Sequence, residues 1–271
     1  MSTPVLDVRG LSYDIGATPI LRDVSFSVAA GDYVSVIGPN GAGKTTLLKC
    51  LNRILPGGRG EIAVRGRPLK DCSQAELAQE MAYVPQAEGR HFDFTVFEFV
   101  LMARYPYLSP FSAVKPDDVA VVWHALETTG IRGFSERIHG TLSGGERQKV
   151  FIAAAIAQRA PLLLLDEATT FLDPYHEQEI LDILHRVHQE EGVAVLSVTH
   201  DINSAVLTSD RVIALRMGEI VFAGAPGELM EPGTLQSIFG KPFTFTHHPV
   251  TQQRMVLPDA LNAGQGKREG E

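Results

Sequence analysis

Cysteine is scarce in this sequence, and positive charge is in deficit. Only Cys50 and Cys72 occur among 271 residues, which is too few for a disulfide framework and suits a reducing compartment. We interpret both thiols as packing or surface groups. The 24 Lys and Arg residues are outnumbered by 32 Asp and Glu residues, so the formal net charge is −8. Because broad nucleic-acid binding normally requires a basic surface, this balance predicts no nucleic-acid partner, although it leaves local basic patches open.

Long hydrophobic runs are absent as well. The longest uncharged apolar runs, such as residues 150–157, fall well short of the roughly 20 residues that a membrane-spanning helix needs. No charged-then-apolar signal opens the chain, so we expect any membrane role to come through a partner. The length and an apolar fraction of 44% allow one large or two small domains with a substantial core.

Residues 38–46 match the phosphate-binding pattern G-x-x-x-x-G-K-[ST], called the P-loop. A β-branched apolar segment precedes the match and an amphipathic helical segment follows it, so the loop joins a strand to a helix N-terminus. Backbone N–H groups there can face phosphate, Lys44 adds a positive charge, and the Thr45 hydroxyl can bind Mg²⁺. We predict a nucleoside triphosphate site with Mg²⁺ formed by Gly38, Pro39, Asn40, Gly41, Ala42, Gly43, Lys44, Thr45 and Thr46. Kinases, switches, motors and transport ATPases all share this motif.

Polar side chains follow three further predicted strands. The apolar run 162–165 ends in Asp166 and Glu167, the strand at 81–84 is followed by Gln86, and the strand at 194–199 by His200. Since ligands bind at the carboxyl edge of open α/β sheets, these side chains are expected to share one site. Asp166 is the candidate Mg²⁺ ligand and Glu167 the candidate for orienting an attacking water. Taken singly, these residues also have structural interpretations. Asp166 and Glu167 would cap the next turn, Gln86 would be a surface residue, and His200 would be a structural histidine.

Helical patterns replace strands between residues 87 and 160. Capping signals predict helices from Thr95 to Arg104, from Pro116 to near Gly130 and from Gly145 to Gln158. We predict an inserted helical subdomain at 87–160 within an α/β core formed by residues 1–86 and 161–240. Residues 241–271 form a C-terminal extension whose end, 263–271, is expected to be disordered. Core packing accounts for most of the aromatic side chains at 92–99, and a partner groove for some.

A second glycine-flanked helix N-terminus, residues 142–146, precedes the third of these helices. Ser143 is a candidate N-cap, and the turn is suited to phosphate. One nucleotide hardly needs two such turns from separate subdomains. We therefore expect this turn to close on the nucleotide of a second copy, in a two-fold dimer that shares two sites.

The sequence Leu-Ser-Gly-Gly-Glu at 142–146, together with the P-loop and the run 162–167, resembles the ATP-binding cassette (ABC) ATPases over about residues 4–230. The resemblance implies a P-loop NTPase fold with an N-terminal antiparallel β subdomain and an inserted helical subdomain. It implies adenine stacking by Tyr13, a magnesium-sensing Gln86, catalytic Glu167 and γ-phosphate contact by His200. Dimer contacts to the nucleotide would come from Ser143, Gly144, Gly145, Glu146 and Asp173. Ala168 and Phe171 depart from the usual pattern, but neither removes a catalytic group, so we expect an active ATPase.

Two stretches, residues 104–108 and 169–173 followed by His176, resemble the ATPases of iron-siderophore, haem and cobalamin importers, although Ala103 stands where glycine is common. This likeness implies ATP-driven import, permease partners, an indirect link to a substrate-binding protein, and a place at the cytoplasmic face of the membrane. Import of zinc, manganese or polar amino acids stays open. A soluble ABC ATPase that serves as an assembly factor is a further alternative, and the cargo itself is not identified.

Overall fold

The structure, a computed structural model, describes residues 3–86, 92–108 and 113–257. Its strands are β1 Leu6–Ile15, β2 Thr18–Val28, β3 Tyr33–Ile37, β4 Arg59–Val64, β5 Arg67–Pro68, β6 Met81–Val84, β7 Leu162–Asp166, β8 Ala194–Val198, β9 Arg211–Arg216, β10 Glu219–Gly224, β11 Thr244–His247 and β12 Arg254–Leu257. Its α-helices are α1 Lys44–Leu51, α2 Gln74–Glu80, α3 Val96–Met102, α4 Pro116–Thr128, α5 Gly144–Ala157, α6 Pro174–Glu191, α7 Ile202–Thr208, α8 Pro226–Leu229 and α9 Pro232–Phe239. Within these ranges, no helix is both long and apolar enough to cross a membrane.

A six-stranded sheet in the order β10-β9-β3-β8-β7-β6 forms the centre of the molecule. Strand β3 pairs in parallel with β8 and β9, and β7 pairs in parallel with β6 and β8. All residues of β3 and β7 are buried, because helices or a second sheet cover both faces. Burial on both faces explains why these strands read as continuous apolar runs.

The parallel registers align the carboxyl ends of the strands. Val36 of β3 pairs with Val198 of β8, which in turn pairs with Asp166 of β7. On the far side of β7, Val84 pairs with Leu165. The segments that follow β3, β6, β7 and β8 therefore leave the sheet along one edge, as the sequence predicted.

A second, antiparallel sheet in the order β2-β1-β4-β5 contains the N-terminal strands. Alternate residues of β1, including Leu6 and Val8, are buried in one core cluster with Leu47 of α1 and Leu164 of β7. Cys50 lies in the same cluster, where burial raises the pKa of its thiol to about 11. The predicted α/β fold with an antiparallel N-terminal sheet is confirmed, and Cys50 is a packing residue.

Helices α3, α4 and α5 pack on one face of the central sheet. Their buried side chains, such as Val100, Val122 and Ile152, form one cluster with Ala82 and Leu163 of the sheet. Ser73 and Thr95 each stand three residues before a glutamate, a pattern that predicts a capping box, and both boxes are present. Helix α3 ends at Met102 instead of reaching Arg104, because Pro106 has no backbone N–H to extend the helical hydrogen bonds and a 3₁₀ helix, Tyr105–Tyr107, follows.

Arg104 has a structural role that the sequence did not predict. Its Nε donates to Asp118 Oδ1 at 3.0 Å and its Nη1 to the Ala157 carbonyl at 2.8 Å, and its guanidinium lies 4.0 Å from the ring centroid of Tyr107. Both Arg104 and Asp118 are buried. This pair ties the segment after α3 to the start of α4 and the end of α5.

The C-terminal extension begins with a hairpin, β11–β12, that packs on α7. The Asn203 side chain donates to the Val256 carbonyl at 3.0 Å and accepts from the Val256 N–H at 2.8 Å, so one amide pairs with the backbone of β12 in both directions. The sequence did not predict this docking. Residues 263–271, expected to be disordered, lie outside the described ranges.

The turn after β3 approaches the backbone of β9 closely. Gly38 has φ of 145°, and a Cβ at this position would overlap the Leu215 carbonyl oxygen. Gly41, three residues later, has φ of 79° but faces open space. The first glycine is therefore required by both backbone conformation and contact, and the second by conformation alone.

We predict that Asp118→Ala lowers the free energy of unfolding by about 3 kcal/mol, since it leaves the buried Arg104 charge without its carboxylate. The hydrogen bond from Arg104 lowers the pKa of Asp118, so this stabilisation persists above the unfolded pKa of about 4 and is lost as pH falls through the folded pKa. Urea unfolding at pH 7 provides the measurement. The neighbouring exposed residue supplies the control: Asp117→Ala should cost less than about 1 kcal/mol, and equal costs would refute the proposed bond.

We predict that Gly38→Ala destabilises the protein by about 3 kcal/mol or more, because strain and overlap with Leu215 act together. The matched change Gly41→Ala should cost about 1–2 kcal/mol from conformational strain alone. Denaturant unfolding of the two variants measures the difference. A Gly38→Ala variant as stable as Gly41→Ala would show that the approach to Leu215 is not close.

Candidate functional site

The P-loop lies between β3 and the N-terminus of α1, for which Gly43 is the N-cap. Lys44 is buried, and its Nζ donates to the carbonyl oxygens of Gly38 at 2.8 Å and Pro39 at 3.2 Å. Burial lowers the pKa of Lys44, while the nearby charges of Glu167 and Asp166 raise it. The amides in the first turn of a helix have no partner within the helix. Together with Lys44 they make this turn suited to a phosphate group.

Asp166 is held by two hydroxyl groups. The Thr45 Oγ1 donates to Asp166 Oδ1 at 2.9 Å, and the Tyr83 hydroxyl donates to Asp166 Oδ2 at 2.8 Å. The structure thus brings together two of the three predicted magnesium residues, Thr45 and Asp166, although they are far apart in sequence. Among the described residues, no hydrogen bond joins Gln86 to either of them. Carboxylate and hydroxyl oxygens are ligands that suit a hard cation such as Mg²⁺.

Tyr83 is a site residue that the sequence interpretation missed. It pairs with Leu164 across β6 and β7, two residues before Asp166. Because side chains alternate along a strand, Tyr83 therefore faces the same side of the sheet as Asp166. The polar hydroxyl in an otherwise apolar strand was the available signal.

Glu167 and His200 approach one another beyond the ends of β7 and β8. His200 Nδ1 lies 3.6 Å from Glu167 Oε2, and the Thr170 hydroxyl donates to the same oxygen at 3.2 Å. Glu167 has φ of 50°, and its backbone N–H donates to the Val198 carbonyl at 3.0 Å. The Glu167 side chain is 23% exposed, so its carboxylate can reach a water molecule from the solvent side.

Gln86 and Tyr13 lie on the flanks of this edge. Gln86 is half-buried and follows β6, and the preceding Pro85 carbonyl accepts from Gln148 of α5 at 3.4 Å. Tyr13 is half-buried on β1 and pairs with Leu21 of β2. A Cβ on Gly43 would lie 2.9 Å from Leu21 Cδ2, so the residue that pairs with Tyr13 packs against the P-loop.

The turn at 142–146 is organised by its own helix and by Arg137. Ser143 is the N-cap of α5 and forms a capping box with Glu146, whose carboxylate also accepts from Arg137 at 2.9 Å. Ser143 and Gly144 are exposed, whereas Gly145 is buried. Among the described residues, no hydrogen bond or ion pair joins the side chains of this turn to the P-loop. One copy of the chain thus leaves Ser143 and Gly144 exposed to solvent.

Asp173 is the N-cap of α6. Its Oδ1 accepts from the backbone of Tyr175 at 3.0 Å and of His176 at 3.1 Å. The hydrogen bond with the His176 side chain is the largest cause that lowers the pKa of Asp173.

Phe171, a departure from the family pattern, is 92% exposed with φ of 65°, while Ala168 is buried in the core. Both departures are accommodated without displacing Glu167 from His200.

Residues 21–170 match the protein-family model described as "ABC transporter". The hemin import ATP-binding protein HmuV of Streptomyces coelicolor is 41% identical over 249 residues, which cover 92% of this chain and 88% of that protein. The iron(3+)-hydroxamate import ATP-binding protein FhuC of Bacillus subtilis is 38% identical over 252 residues, covering 93% and 94%.

Solved structures of ABC transporter proteins are also similar to this chain. A chain of a metal-chelate type ABC transporter in an inward-facing conformation superposes with a TM-score of 0.81 at 27% identity, covering 94% of this chain and 97% of that one. The ATP-binding cassette MJ0796, in a dimeric structure with ADP and Pi, superposes with a TM-score of 0.70 at 26% identity, covering 82% and 98%. This chain therefore belongs to the ABC transporter family and is one of its ATP-hydrolysing subunits.

Proposed function

We propose that two copies of this chain hydrolyse ATP in two shared sites and thereby drive a membrane permease that imports a metal chelate or a corrinoid. The observation that carries this proposal is the separation of two phosphate-suited turns in one chain. The P-loop lies at the sheet edge beside Asp166 and Glu167, whereas the turn at 142–146 faces outward on the helical segment. A second copy is needed to unite them.

The P-loop residues bind the nucleotide. The backbone amides of residues 38–46 and the Lys44 ammonium bind the phosphates, and Tyr13 stacks on adenine. The buried position of Lys44 supports this role, because a buried ammonium interacts strongly with an incoming anion. Two observations support the role of Tyr13: its ring is half-buried, and its pairing partner Leu21 packs against Gly43 of the P-loop.

Thr45, Asp166 and Gln86 are the residues that would hold Mg²⁺ alongside the nucleotide. Mg²⁺ supplies neutralisation of the charge on the phosphate oxygens. Tyr83 orients the Asp166 carboxylate through its 2.8 Å hydrogen bond, and such outer partners influence metal affinity. No group of three or more His, Cys, Asp or Glu side chains within the described ranges could hold a metal by itself, which is consistent with a cation that is shared with the nucleotide.

Glu167 orients the attacking water and accepts its proton, and His200 contacts the γ-phosphate. The Thr170 hydroxyl and His200, both near Glu167 Oε2, fix the direction of the carboxylate. The position next to Lys44 supports this role, since the nucleophile must approach the terminal phosphate that Lys44 binds.

The second copy contributes Ser143, Gly144, Gly145, Glu146 and Asp173. Two aromatic side chains near Asp173, Phe171 and Tyr175, are 92% and 70% exposed, and contact with a second copy would remove them from water. The dimeric ADP-bound structure of MJ0796, which has the same fold, supports this arrangement.

The permease and the cargo are inferred from relatives. Phe94, Met102 and Tyr105 expose apolar surface on the helical segment that adjoins Gln86, which makes this segment the candidate docking surface for a permease at the cytoplasmic face of the membrane. The names of the similar proteins specify hemin, iron(3+)-hydroxamate and cobalamin import. We infer a cargo of this class, delivered by a substrate-binding protein.

We predict that Glu167→Gln slows ATP hydrolysis by about 10²–10⁴-fold, because it removes the proton acceptor. ATP binding should be retained, and a dimer should accumulate when ATP and Mg²⁺ are added. Phosphate release and size-exclusion chromatography measure the two effects. The same substitution at an exposed residue of α6, Glu190→Gln, is the control and should hydrolyse ATP normally.

Uptake assays extend this test to transport. A strain that lacks the chain, complemented with the wild type or Glu190→Gln, should take up one of labelled haem, ferric siderophore or cobalamin, and Glu167→Gln should abolish that uptake. Near-normal turnover by Glu167→Gln would remove Glu167 from its role. Hydrolysis without restored uptake of any of these compounds would contradict the cargo class alone.

A further inference from the structure

His176 lies in the first turn of α6 and is bonded to the N-cap of that helix. Its Nδ1 is 2.5 Å from Asp173 Oδ2, while Asp173 Oδ1 accepts the two backbone N–H groups of the turn. Both oxygens of the carboxylate are thereby engaged. The His176 ring therefore fixes the orientation of Asp173 beyond what the N-cap alone would do.

The His176 ring also contacts the backbone of Gly145. A Cβ built on Gly145 would lie 2.5 Å from His176 Cδ2 and 2.7 Å from Cγ. A Cβ atom is essentially never found this close to another side chain. The His176 ring therefore occupies the space that a side chain at position 145 would need. This contact explains why Gly145 is buried while its neighbours Ser143 and Gly144 are exposed.

An ion pair also joins α5 and α6 one turn further along. Lys149 Nζ lies 2.8 Å from Glu179 Oε2, and these side chains are 13% and 31% exposed. Lys149 is four residues after Gly145, and Glu179 is three residues after His176, so each pair lies on one helix face. The N-terminal halves of α5 and α6 are therefore connected at two successive levels.

We propose that His176 is a positioning residue that holds Asp173 and the Gly145 backbone in a fixed relation, so that one copy offers Asp173 and the exposed residues Ser143 and Gly144 to its partner's nucleotide as a single unit. This inference rests on the proposed function, in which Asp173 and the turn at 142–146 complete the site of the second copy. Without the Asp173–His176 bond, the carboxylate is held only by its two N-cap hydrogen bonds. Its orientation relative to the turn at 142–146 is then less fixed. Loss of the bond therefore weakens closure of the dimer and slows ATP hydrolysis. The P-loop of the same copy binds ATP as before.

Two substitutions at His176, made in the full chain, separate its hydrogen bond from its packing. His176→Phe keeps a ring against Gly145 but has no donor for Asp173. His176→Asn places an amide N–H at the position of Nδ1 and keeps a short planar group beside Gly145. On the same helix, His185 is exposed, and His185→Phe is the matched control.

We expect His176→Phe to lower the kcat of ATP hydrolysis about five- to tenfold, which lies within the range of about 2- to 13-fold for loss of one net hydrogen bond, with ATP affinity changed by less than about twofold. In a Glu167→Gln background it should weaken ATP-driven dimerisation by a similar factor. His176→Asn and His185→Phe should retain at least about half of the wild-type kcat. In an Asp173→Ala background, His176→Phe should have little further effect, because the two residues act through one bond.

Two results would overturn the inference: a folded His176→Phe with wild-type kcat, or a His176→Asn as impaired as His176→Phe. If His176→Phe does not fold, His176→Leu makes the same test with a smaller side chain. Failure of Glu167→Gln itself to dimerise with ATP would instead contradict the proposed function. Dimerisation of Glu167→Gln that is unaffected by His176→Phe would contradict only the role of His176.

Discussion

The parallel pairing of β3, β8 and β7 is the constraint on which the site depends. Val36, Val198 and Asp166 lie in successive pairs of this ladder, so each residue beyond the strands has a fixed place along one edge. The P-loop leaves from β3, His200 from β8 and Glu167 from β7. A register shift of one residue in β7 would turn Asp166 away from Thr45 and break the 2.9 Å hydrogen bond. Apolar burial on both sheet faces makes such a shift costly.

The other half of the proposed site depends on a different contact. Gly145 and Asp173 belong to separate helices, and the His176 ring lies between them. Rigid registers fix the nucleotide-binding edge, whereas a half-exposed side chain connects the elements offered to a second copy. The structure of the sheet edge is thus more strongly constrained than the other half of the proposed nucleotide site.

Local patterns were sufficient to predict the elements of this fold. The strands at 33–37 and 162–165, the capping boxes at Ser73 and Thr95, and the N-cap Ser143 all follow from residue types at short spacing, and the structure contains them. Side-chain contacts over long sequence separations were not predictable. The Tyr83–Asp166 bond, the Arg104–Asp118 pair and the packing of His176 on Gly145 depend on how distant elements meet. The docking of Asn203 on Val256 likewise has no local signature.

Mixing two defective variants tests the shared site most directly. Lys44→Ala removes the phosphate charge from the P-loop, and Ser143→Arg obstructs the outward-facing turn, so each homodimer should be inactive. In a mixed dimer, one site combines both defects and the other combines an intact P-loop with an intact turn. Random pairing of equal amounts should then restore about a quarter of the intact sites, measured as ATP hydrolysis by the mixture. A mixture in which tagged copies demonstrably pair but hydrolyse no more ATP than the separate variants would contradict a site shared between two copies.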